Sequence, residues 1–179
     1  MKGPSMQKTS KPRSKATALV VGAGLAATLA FFTPVYAQQK ADEAKVKAGL
    51  ELWRSSGCSE CHGAFADGEK ERDEAPTGAN IRRTRLDDAT IAETIRCGRP
   101  GAGMPSFGAD AYKERGCYGQ PAGAPPDDLY PTGVTLNAAQ IRDVVTYLRD
   151  RVVGKRAVTP EECAFYYGDQ ASSFCDDQK

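Results

Sequence analysis

An all-α fold with long loops is what this sequence predicts, and three observations carry the expectation. Apolar residues recur at helical spacing in three separate stretches, no stretch alternates apolar and polar residues as a strand would, and glycine- and proline-rich segments divide the helical stretches. In the first, over 41–53, Val46, Gly49, Leu50 and Trp53 share one face and no proline interrupts. In the second, Leu86, Ile91 and Ile95 mark an amphipathic stretch, with Asp87 or Asp88 placed to cap its start. The third is the clearest. Asn137 with Gln140 three positions on resembles a capping box, Ile141, Val144, Val145, Leu148 and Val152 form a continuous apolar stripe, and Gly154 follows the end.

Before these helices lies a leader. Lys2, Lys8, Lys11, Arg13 and Lys15 form a basic start without an acid, an uncharged run covers 16–32, and Val35-Tyr36-Ala37 supplies a small-x-small cleavage site. A secretory signal peptide over 1–37, cleaved after Ala37, is expected, and with it export to the periplasm. The alternative is an uncleaved membrane anchor, but the run has 17 residues broken by Gly22, Gly24 and Thr28, where a span needs about 20 strongly apolar ones. Cleavage leaves 142 of the 179 residues, enough for one core, expected over 38–154 with a tail over 155–179. It also turns the formal charge from +1 to −4, because 19 basic residues then face 23 acidic ones. Basic residues do not dominate, so nucleic acid is not an expected partner. Six cysteines in an exported chain are compatible with disulfides.

The stretch Gly57-Cys58-Ser59-Glu60-Cys61-His62-Gly63 carries the chemistry. A zinc site would need a fourth ligand, usually from a second, distant ligand pair. A thiol redox motif would begin a helix after a strand, whereas a helical stretch precedes Gly57. Covalent haem attachment asks for what is present: two thiols spaced for the two vinyl groups and an adjacent imidazole for the iron. His62 is the only histidine, so any scheme needing a second one is excluded. Beyond Met6 the only methionine is Met104, set between glycines and a proline in Gly103-Met104-Pro105-Ser106-Phe107 rather than on an apolar helical face.

A CxxCH after an N-terminal helix, a GxN-type loop, a GMPxF loop and a last helix together resemble a class I c-type cytochrome, over 41–154. The resemblance implies an all-α fold around one covalent haem c, with Cys58 and Cys61 as attachment points and His62 and Met104 as axial iron ligands. It implies that Gly49 and Trp53 on the first helix cross against Tyr147 on the last. It also implies a proline carbonyl that orients the haem histidine; here Gly78-Ala79-Asn80-Ile81 has alanine in that place, with the Ala79 carbonyl available. Two filled axial positions exclude substrate chemistry at iron, so the expected function is one-electron transfer, not catalysis. Expected partners are redox proteins: a periplasmic dehydrogenase, a membrane complex or an oxidase. No small-molecule substrate is expected. The alternatives are a haem enzyme or gas sensor with an open sixth position, and a cytochrome subunit permanently docked on a dehydrogenase.

Four cysteines lie outside the motif and allow three pairings. Local pairing, Cys97 with Cys117 and Cys163 with Cys175, is expected because each closes a short loop. The first bridge has two readings: it pins the Met104 loop, or it secures the loop containing Gly119, Pro121, Gly123, Pro125 and Pro126. Arg82, Arg83, Arg85, Arg96 and Arg99 read mostly as a solvated face, with some available to haem propionates or an acidic partner. The acidic, aromatic tail is expected to wrap the domain or form a docking surface.

Overall fold

The computed structural model describes residues 33–175, with side chains from Asp42 onward. The expected leader, with its apolar run, therefore lies mainly outside the described residues. Among those residues the fold is helical, with no strand and only isolated bridges, the pairing of Arg99 with Met104 among them. No described helix is long and apolar enough to cross a membrane.

Helix α1 spans Thr33–Ser55, eight residues earlier than the sequence pattern suggested, with Pro34 in its first turn where proline is tolerated. A short helix α2, Cys58–His62, follows. A single 3-10 turn, Ile81–Arg83, precedes α3, Asp88–Cys97. Asp87 caps α3 by accepting from the Thr90 amide at 2.8 Å. Leu86 thus sits outside the helix; it is exposed, while Ile91 and Ile95 are buried as expected. Helix α4, Ala138–Tyr147, opens on the anticipated capping box: Asn137 Oδ1 accepts from the Gln140 amide at 3.0 Å and Gln140 Oε1 from the Asn137 amide at 2.9 Å. The chain then widens into a π-turn, Leu148–Val152, which keeps Leu148 and Val152 buried, and Gly154 ends it in the left-handed region.

The crossing of α1 and α4 organises the core. A Cβ at Gly49 would lie 2.0 Å from the Asp143 carbonyl oxygen and 2.7 Å from Tyr147 Cβ, so only glycine permits this approach. One turn further on, Trp53 packs on Tyr147 with ring centroids 6.2 Å apart.

The C-terminal residues join this core. Helix α5, Pro160–Tyr167, is capped by Thr159, and a second 3-10 turn leads into α6, Ala171–Phe174. Cys163 pairs with Cys175 and Cys97 with Cys117, the expected local pattern. Tyr166 is buried among the core residues, 5.5 Å from the Phe65 ring and beneath the Arg54 guanidinium. Arg82 does not belong to a solvated face as expected: it is 4 % exposed and paired with Glu162 through both terminal nitrogens. It also donates to the Phe65 carbonyl at 3.1 Å and the Ala157 carbonyl at 2.9 Å. The reason is long-range: burial of its charge requires a counter-charge and acceptors from α5 and its approach segment.

Two stability predictions follow from these contacts. Gly49→Ala overpacks the crossing and lowers thermal stability by about 1–3 kcal/mol, read in a melting curve; an unchanged midpoint would show that the helices are free to separate. Glu162→Ala strands a buried guanidinium, costing about 3–5 kcal/mol, measured by denaturant titration against wild type.

Candidate functional site

The loop before α2 and the short helix itself bring the chemistry together. Gly57, in the left-handed region, turns the chain out of α1. The five residues of α2 then present Cys58, Cys61 and His62 to a cavity of about 840 Å³, a size suited to a cofactor. Met104 and Pro105 line the same cavity from the loop after α3, and Ile95, Val144 and Leu148 give it apolar walls. The four residues singled out from sequence, 58, 61, 62 and 104, are therefore gathered at one place.

The imidazole is held on one side. Its Nδ1 lies 2.8 Å from the Ala79 carbonyl, so that nitrogen donates and Nε2 carries the lone pair. The loop that carries Ala79 is tied down on either side, the Gly78 amide donating to the Cys61 carbonyl and the Ile81 amide to the Ala66 carbonyl, both at 2.8 Å. Gly78 is dictated by proximity: a Cβ there would lie 2.5 Å from His62 Nδ1. Burial lowers the His62 pKa below its ordinary value, which favours the neutral ring, and the Ala79 contact opposes this more weakly. A neutral imidazole oriented by a backbone carbonyl is what a metal ligand requires.

The two thiols differ from the other four cysteines in being unpaired. Burial pushes Cys58 up to about 12 and raises Cys61 as well. Both shifts disfavour the thiolate, the form that a reactive redox couple needs. A zinc site finds no support either. Among the described residues the one cluster of three metal-ligating side chains is Glu93 with Cys97 and Cys117, whose sulfurs are joined in a disulfide.

Buried polar atoms in the cavity wall point to a bound group with polar edges. Trp53 Nε1 and Asn80 Oδ1 are both buried without a hydrogen-bond partner, and both residues line the cavity. Such atoms are rare unless a ligand or ordered water satisfies them. The thiols, the oriented imidazole, the apolar walls and these two polar atoms all fit a haem.

Some lining residues were not legible from the sequence. Trp53 reads as a helix-crossing residue, yet it also lines the cavity with its ring centroid 5.9 Å from that of His62. Leu86 and Tyr130, both exposed at 46 % and 42 %, line it too. Of the arginines, Arg83 and Arg99 line the cavity, while Arg96 is buried against Glu93 rather than solvated. Nothing in the local pattern distinguishes these roles.

No curated protein and no solved structure matches the chain. Residues 44–116 match the family described as cytochrome c oxidase, cbb3-type, subunit III. That segment carries α2, its two thiols, His62 and Met104. The matched segment thus carries a c-type cytochrome domain, consistent with the class I kind, and such a domain implies a covalently bound haem c and haem-based electron transfer.

Proposed function

We propose that this protein is a periplasmic monohaem electron carrier in which Cys58 and Cys61 form the thioethers and His62 and Met104 are the axial iron ligands. One observation supports this most: a single cavity is lined at once by the only unpaired cysteines, the only histidine, and the only methionine beyond Met6. When bound, haem c supplies a one-electron couple between ferrous and ferric iron. With His62 and Met104 both holding it, the haem iron would offer oxygen or a substrate no vacant coordination site. Methionine as a ligand favours a higher potential than histidine or thiolate would. The Ala79 carbonyl fixes the imidazole plane, and Ile95, Val144 and Leu148 exclude water.

The partners follow the same reading. The matched family is described as an oxidase subunit, which favours a respiratory redox protein as partner, either docked permanently or met transiently. The basic leader and its cleavage site support export to the periplasm.

The visible spectrum of the haem-loaded protein tests the reading. Expected is a low-spin spectrum whose ferric form shows the weak far-red band of methionine ligation, with that band lost in Met104→Ala. The ferrous wild type is expected to ignore carbon monoxide, whereas Met104→Ala binds it. Carbon monoxide binding by the wild type would instead favour an enzyme or gas sensor with an open sixth position.

A further inference from the structure

The last turn of α3 leaves carbonyl groups without intrahelical partners, as every helix end does. Here they are taken up by the segment that follows Met104. The Ile95 carbonyl accepts from the Phe107 amide at 3.1 Å, and the Arg96 carbonyl from the Gly108 amide and Ser106 Oγ, both at 2.8 Å. The Cys97 carbonyl accepts from the Tyr112 hydroxyl at 2.9 Å, and the Gly98 carbonyl from the Tyr118 hydroxyl. The Arg99 amide donates to the Met104 carbonyl at 2.9 Å, which closes the loop at its neck.

Side chains and a covalent bond reinforce the strap. Cys97 is bonded to Cys117 across the same interface. Buried Arg96 holds Glu93 with two hydrogen bonds of 3.0 and 2.9 Å and also donates to the Gly116 carbonyl. Glu93 in turn accepts from the Tyr118 amide at 2.9 Å. The two tyrosines whose hydroxyls cap α3 have φ of 63° and 55°, two of only three non-glycine residues with positive φ among those described. Bulky residues hold that conformation only where their surroundings force it, and such strain gathers at ligand clamps.

We infer that the 106–118 segment is a latch, with Tyr112, Tyr118 and the Cys97–Cys117 bridge as positioning residues that keep the Met104 loop seated against α3. The inference rests on the proposed axial role of Met104. Its consequence is a slow exchange of Met104 for an external ligand, because the loop must leave α3 before the sulfur can move away.

Imidazole displacement of Met104 in the ferric, haem-loaded protein tests it, followed by loss of the far-red band in stopped-flow. Cys97→Ser/Cys117→Ser is expected to exchange faster on the order of tenfold or more, and Tyr118→Phe several-fold. Cys163→Ser/Cys175→Ser is the control: a lower melting temperature with wild-type exchange. Tyr118→Phe keeps every disulfide and reports the latch even if the first variant folds poorly. Wild-type exchange in both the Cys97→Ser/Cys117→Ser and Tyr118→Phe variants overturns the latch alone, as does equal acceleration in the control. A wild-type spectrum without the far-red band overturns the Met104 assignment and the latch with it.

Discussion

Everything in this fold is referred to the place where α1 and α4 touch through Gly49. Because the helix backbones meet there without an intervening side chain, the residues one turn away are forced into register: Trp53 against Tyr147 on one side of the contact. Trp53 then reaches His62, while Val144 and Leu148 on the other helix become walls of the cavity. The position of the imidazole relative to its apolar surroundings is thus inherited from a contact between two backbones. A side chain at position 49 would push these walls apart without itself reaching the cavity.

The polar interactions that matter are few and concentrated. Two arginines are buried, and each ties its own segment to something later in the sequence: Arg82 ties a 3-10 turn to α5, and Arg96 ties α3 to the turn at Gly116. Neither faces the cavity. Buried pairs of this kind contribute little net stability against an apolar alternative, yet they tolerate only one arrangement of the backbone around them. In a chain with long irregular loops, that selectivity substitutes for the regular hydrogen bonding that a sheet would have supplied. The two disulfides act at the same two places, one beside Arg96 and one in the tail that Arg82 grips.

The sequence revealed features whose cause is local. Asp87 and Asn137 are caps because a short polar side chain folds back onto nearby amides, and the stripe from Ile141 to Val152 records one helix face. Cys58, Cys61, His62 and Met104 were legible because their chemistry is scarce in this composition. Features decided by distant neighbours were hidden. Arg82 looks like any surface arginine until Glu162 is seen beside it, Leu86 fits a helical spacing it does not occupy, and Tyr166 carries no mark of its place in the core. The positive φ of Tyr112 and Tyr118 had no signal at all, because residues that favour that region are normally glycine or asparagine.

The Arg82 pair also sets a timetable. Its counter-charge lies 80 positions later in the chain, so a polypeptide emerging from its N-terminal side has the guanidinium long before the carboxylate. Until Glu162 arrives, enclosing Arg82 would cost more than leaving it in water. The contact between Phe65 and Tyr166 is likewise non-local, so a long loop must close before this part of the core can form. Losing the tail would therefore leave the guanidinium enclosed without its counter-charge as well as shortening the chain.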